Sequence, residues 1–119
     1  MRRFQVKRIY DAPAETDGFR VLVDRLWPRG VAKAKAHIDL WLKAVAPSDA
    51  LRHEFHHDAT RWKAFVAAYA KELREPEAQE AANTLRAQLR KGPVTLLYAA
   101  RDETHNNAVA LKNLLERSD

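Results

Sequence analysis

Cysteine is absent from this 119-residue chain. Its absence excludes disulfides, thiolate nucleophiles and thiolate zinc sites. Glycine occurs only at Gly18, Gly30 and Gly92. Three scattered glycines make neither a phosphate-cradling loop nor a flexible linker. Long apolar runs are also missing. The best is Val94-Thr95-Leu96-Leu97-Tyr98-Ala99-Ala100, far short of the roughly 20 residues of a membrane helix. The basic start Met1-Arg2-Arg3-Phe4 is followed by no apolar signal core. A cytoplasmic protein with no membrane partner is expected. The serines and threonines lie outside any Gly-x-Ser-x-Gly setting, and no nucleotide-binding fingerprint occurs.

What is present suits one ordinary domain, residues 1–119. Apolar residues make up 46% and charged residues 31%, well mixed, which argues for a packed core and against global disorder. The net charge is +5 and the sequence pI about 9.7. This balance favours anionic partners. Apart from Arg2, Arg3, Lys7 and Arg8 the basic residues are dispersed. Nucleic acid is therefore a less favoured partner than a small anion.

Periodicity orders the chain. Phe4 to Tyr10 alternates and is rich in β-formers, predicting a strand. Asp11 to Gly18 reads as a loop. Phe19 to Asp24 predicts a second strand, whose Val21-Leu22-Val23 run suits two-sided burial in a parallel sheet. Trp27-Pro28-Arg29-Gly30 then breaks the chain. His37 to Val45 fits both a strand and a helix, with a short strand preferred. Ser48 can cap a helix from Asp49 to about His56, and Asp58 a longer one carrying Trp62, Phe65, Val66, Tyr69 and Leu73 on its buried face. Pro76 opens a further helix that Gly92-Pro93 stops near Lys91. Val94 to Ala99 is the clearest strand. A last helix is expected over about Thr104 to Glu116. Strands alternating with helices predict a three-layer α/β domain with a small, mainly parallel sheet. Ligands in such folds bind beyond the carboxyl ends of the strands.

Three constellations bear on chemistry. Asp24-Arg25-Leu26-Trp27-Pro28-Arg29-Gly30 follows a buried strand directly. Arg25 and Arg29 can hold a phosphate or carboxylate in bidentate fashion, and Trp27 can stack on a planar ligand. The competing account is an Asp24–arginine salt bridge with Trp27 in the core. Arg101 to Asn107 follows the late strand. There Asp102 is a plausible N-cap, which would set His105 at the third helical position among free amides. His105 could then exchange a proton while Asn106 held the substrate; plain capping of the helix is the alternative. The third is His53-Glu54-Phe55-His56-His57-Asp58 with Arg61-Trp62. Its first five residues match the short zinc-protease pattern, but a helix ending at His56 or His57 would spoil the pair. No metal site and no cofactor are expected there, and Arg61 would face an acid or an anionic ligand.

Taken together, Arg20 to Gly30, Ile38 to Lys43, Leu51 to Phe55, His57-Asp58 with Arg61-Trp62, and Val94 to Asp102 with His105-Asn106 resemble the YeaO-like family, domain of unknown function 488. The resemblance spans nearly the whole chain. It implies an α/β sheet and brings no established activity. Some members carry a porphyrin methyltransferase label, for which this sequence has no methyl-donor-binding loop. Wider relatives share the Leu-Val-Asp strand end and have a cysteine-containing segment after the late strand; here that segment is Thr104-His105-Asn106-Asn107, without the thiol.

The expectation is a small-molecule site for a phosphate- or carboxylate-bearing ligand. His105 and Asp24 are its catalytic candidates, and Arg25, Trp27, Arg29, Arg61, Asp102 and Asn106 its binding candidates. The alternatives are a nucleic-acid or protein-binding module, or an accessory domain without catalysis.

Overall fold

The computed structural model describes residues 3–56 and 58–117. Among these residues four strands form one sheet: β1 (Gln5–Arg8), β2 (Phe19–Leu22), β3 (Leu40–Trp41) and β4 (Val94–Tyr98). Their order is β1-β4-β2-β3 and every neighbouring pair is parallel. Val21 lies opposite Leu96 and Leu22 opposite Leu97. The adjacency expected of the two continuous apolar runs is therefore observed. All four strands end on the same edge, which brings the loops after β1, β2 and β4 together.

Among the described residues five helices complete the α/β domain: α1 (Lys33–Ala36), α2 (Asp49–Phe55), α3 (Trp62–Glu72), α4 (Pro76–Lys91) and α5 (Asn107–Arg117). The two faces of the sheet are unequal. Side chains alternate along a strand, so Val21, Val94, Leu96 and Tyr98 join a large core with Phe55, Phe65, Tyr69, Leu85 and Leu111 of α2 to α5. Leu22 and Leu97 point the other way, into a small core with Ile9 and Ala36. Trp27, Val31, Ile38 and Trp41 pack on its rim. The third layer is thus one four-residue helix and a loop.

The same face carries a buried ionic cluster. Arg20 donates through Nη1 to Asp17 Oδ2 at 2.5 Å, and Lys7 Nζ lies 2.9 Å from Asp17 Oδ1. Arg20 also donates to the carbonyls of His37 and Ala36. Beside it, Gly18 leads into β2 at φ 65°, and a Cβ there would lie 2.2 Å from the Pro93 carbonyl oxygen. Only glycine fits that approach.

Local chemistry explains the helix ends. Ser48 Oγ accepts from Leu51 N and caps α2. Asp58 accepts from Thr60 N and caps a short 3-10 turn, Ala59–Arg61, that leads straight into α3. Pro76 sits in the first turn of α4. One expectation is met only in part, one helix is new, and one helix start is corrected. His37 to Val45 splits into the two-residue β3 and a 3-10 turn, Lys43–Val45. Helix α1, which has no apolar stripe, was not expected at all. The last helix starts at Asn107 rather than Thr104.

Candidate functional site

Asp24 ties the converging strand ends together. Its Oδ2 accepts from Ala99 N, just past β4, and its Oδ1 from Asn107 Nδ2, at the start of α5, both at 3.0 Å. Asn107 Nδ2 also donates to Val23 O at 3.0 Å, and Trp41 Nε1 to Asp24 O at 2.7 Å. One residue therefore joins the ends of β2, β3 and β4 to α5. Both of its carboxylate oxygens are engaged in this clamp.

Beyond Asp24 lies a cleft of about 550 Å³, within the range of small-molecule sites. Arg25, Trp27, Pro28 and Arg29 line it from the loop after β2. Tyr10 contributes from the end of β1, Ala99 and Ala100 from the end of β4, and Asn107 from α5. Arg52 and Phe55 of α2 and Phe65 of α3 close the helical side. Among the described residues arginine supplies three cations to this lining and Asp24 the only carboxylate. The cleft is therefore electropositive.

The three arginines differ in freedom. Arg25 donates through Nε and Nη2 to the carbonyls of Pro47 and Ala46, at 3.1 and 3.2 Å. A guanidinium has five donors, so Arg25 is both anchored and able to bind. Arg52 makes a long, exposed ion pair to Asp49 at 3.7 Å. Such a pair holds it weakly. Arg29 is exposed, and the Tyr10 hydroxyl fixes its backbone by donating to Arg29 O at 2.9 Å. Trp27 is partly structural: its Nε1 donates to Val31 O, and its ring packs edge-on against Trp41 at 5.3 Å.

Asp24, Arg25, Trp27 and Arg29 thus meet in one cleft, as their shared strand end implies. Arg61, Asp102, His105 and Asn106 are not part of its lining. Asp102 accepts from the amides of Thr104 and His105. Those bonds hold its carboxyl down at about 2. It caps a turn before α5 rather than α5 itself. His105 therefore lies outside the helix, with Nδ1 3.1 Å from Asp102 Oδ2 and its ring edge-on to Trp62 at 5.2 Å. Asn106 is the true cap: its Oδ1 accepts from Val109 N, its Nδ2 donates to Asp102 O, and it is buried. That burial leaves it no route to a ligand in the cleft. Arg61 is exposed, donating to Glu54 O and lying 3.7 Å from Asp58.

The histidine segment also departs from a continuous helix. Helix α2 ends at Phe55, and His56 is left-handed at φ 50°. His57 lies outside the described residues. No group of three or more metal-ligating side chains occurs among the described residues. The basic start is largely absorbed by the fold: Lys7 pairs with Asp17, and Arg8 donates to the Ala100 and Ala99 carbonyls. Arg2 lies outside the described residues.

Sequence reasoning missed Arg52, Asn107 and Tyr10. Tyr10 stands just past a strand end, where the strand-end rule already points. Arg52 has a weaker signal, its place beside inward-facing Leu51 on α2. Asn107 had none that set it apart from Asn106.

Residues 3–118 match a family model described as the inactive DUF488-N3 subclade. The chain belongs to the DUF488 family. Among DUF488 relatives, it is 40% identical to the uncharacterized protein YeaO of Escherichia coli over 111 residues, 93% of this chain and 95% of YeaO. It is 37% identical to the uncharacterized protein Rv3073c of Mycobacterium tuberculosis over 113 residues, 95% of this chain and 93% of that protein. No solved structure matches this DUF488 chain. No helix among its described residues is long and apolar enough to cross a membrane.

Proposed function

We propose that this protein binds a small oxyanion in the cleft at the strand carboxyl ends, in the cytoplasm, and does not transform it. The carrying observation is the lining itself: Arg25, Arg29 and Arg52 face one concavity whose sole carboxylate among the described residues, Asp24, has both oxygens engaged. Guanidiniums suit phosphate and carboxylate through paired N–H donors. Catalysis has poorer support. Among the described residues the lining contains no serine, threonine, lysine or histidine, and a general base must reach the proton it takes. Asp24 is better suited to positioning the loop than to proton transfer. The description of the matched model as an inactive subclade agrees with this reading.

Thermal unfolding tests it. Phosphate or sulfate at ten times its Kd should add about 1.4 kcal/mol of stability. For a domain of this size that is a rise in Tm of several degrees. Chloride at matched ionic strength should not reproduce it. Arg29→Ala and Arg52→Ala should remove most of the rise while leaving the unliganded Tm near the wild-type value. An undiminished rise in both variants would refute the cleft as the anion site.

A further inference from the structure

We infer that the ligand of this cleft is an amphipathic oxyanion, an aromatic or aliphatic body carrying a carboxylate or phosphate. The inference rests on the anion-binding proposal and adds the ligand's other half. Among the described residues the large hydrophobics left exposed are Tyr10, at 48%, and Leu26, at 58%. Both line this cleft. A single exposed apolar side chain is ordinary. Two that converge on one concavity, from the ends of different strands, are not explained by chance exposure alone.

The rest of the lining continues the pattern. Phe55 and Phe65, stacked with ring centroids 4.5 Å apart and exposed by only 5% and 3%, back the cleft from the core. Half-buried Ala99 and Ala100 add further apolar surface, while Pro28 and Pro47 are buried beneath it. A bare inorganic anion would satisfy the arginines and leave this surface wet. A cleft of about 550 Å³ also has room for a body larger than one anionic group. Ligand sites commonly combine an apolar lining with a few polar groups that fix orientation. Here the guanidiniums would orient the charged end, and Leu26 and Tyr10 would cover the apolar end.

Calorimetric titration with phenyl phosphate, inorganic phosphate and phenol separates the two halves. Phenyl phosphate should bind about tenfold or more tighter than inorganic phosphate, as burial of a ring's apolar surface implies. Phenol should bind far more weakly than phenyl phosphate. Leu26→Ser changes an exposed residue and so should fold. It should weaken phenyl phosphate about threefold and leave inorganic phosphate unchanged, whereas Arg52→Ala should weaken both. If phenyl phosphate binds no tighter than inorganic phosphate, the amphipathic ligand is wrong and the anion site stands. If neither anion binds, or if binding of both survives Arg52→Ala and Arg29→Ala, the anion site itself is wrong and this inference falls with it.

Discussion

Replacing Asp17 with alanine is expected to destabilise the protein by about 3–5 kcal/mol, the cost of removing one partner from a buried ion pair. Asp17 and Arg20 are exposed by only 5% and 4%. The variant would leave the Arg20 guanidinium buried without its counter-charge, still held by the His37 and Ala36 carbonyls. It would also strip Lys7 of its carboxylate partner, leaving the Ala12 carbonyl, and the Ala14 amide of its acceptor. The effect has a defined pH dependence. Burial alone would raise the Asp17 pKa, but bonds from Lys7, the Ala14 amide and Arg20 outweigh it, and the carboxyl sits below its ordinary 3.8. A carboxyl whose pKa falls on folding stabilises the fold at pH values above its unfolded pKa, and that contribution is lost as pH falls through the folded pKa. Urea denaturation should therefore show the full deficit at pH 7 and a shrinking one below about pH 4. A deficit under 1 kcal/mol at pH 7, or one that grows in acid, would contradict this account.

Neither Asp17 nor Arg20 stood out in the sequence as a core pair, although Arg20 opens a strand otherwise read correctly. A period-2 pattern tells which residues share a face; it does not tell that a charged residue on that face will meet a counter-charge brought by the preceding loop. The same limit explains the rest of what was and was not legible. Val94 to Tyr98 was plain because it is apolar on successive residues, and all five residues are buried. Helix α3 was plain because Phe65, Tyr69 and, at its C-cap, Leu73 recur every four residues; all three are buried, while Trp62 and Val66 of the expected face are only partly so. Helix α1 was invisible because Lys33-Ala34-Lys35-Ala36 buries a single residue. His37 to Val45 carried two periods at once, and the chain realises a little of each. The start of α5 was misplaced because Asp102 and Asn106 both have capping chemistry. The first buried apolar residue after them, Ala108, was the usable clue to the later start. For the site, strand-end logic found Asp24, Arg25, Trp27 and Arg29, which a local loop holds together. It failed for His105 and Asn106, whose placement depends on where a helix begins to within one turn.

Truncating Phe65 to alanine is expected to cost about 3–5 kcal/mol, the range for removing a buried aromatic ring from a core. The ring is 3% exposed. It stacks on Phe55 and packs against Trp62 and Tyr69, each with centroids 5.6 Å away. Its position argues for the upper half of that range. Phe65 and Phe55 line both the arginine cleft and a second groove between α2 and α3, of about 330 Å³. Removing the ring would take away part of the wall between them, and water or a neighbouring side chain would have to fill the gap. The neighbours are poorly placed to do so. Tyr69 is held by its hydroxyl, which donates to Val45 O, and Trp62 is engaged edge-on by His105. A cavity that cannot collapse is the costlier kind. Guanidinium denaturation of the variant gives the loss directly, and Phe65→Leu, which keeps most of the volume, should recover well over half of it. A loss below 1 kcal/mol for the alanine variant would mean that the ring is not packed as described, and that the wall of the cleft is set by other residues.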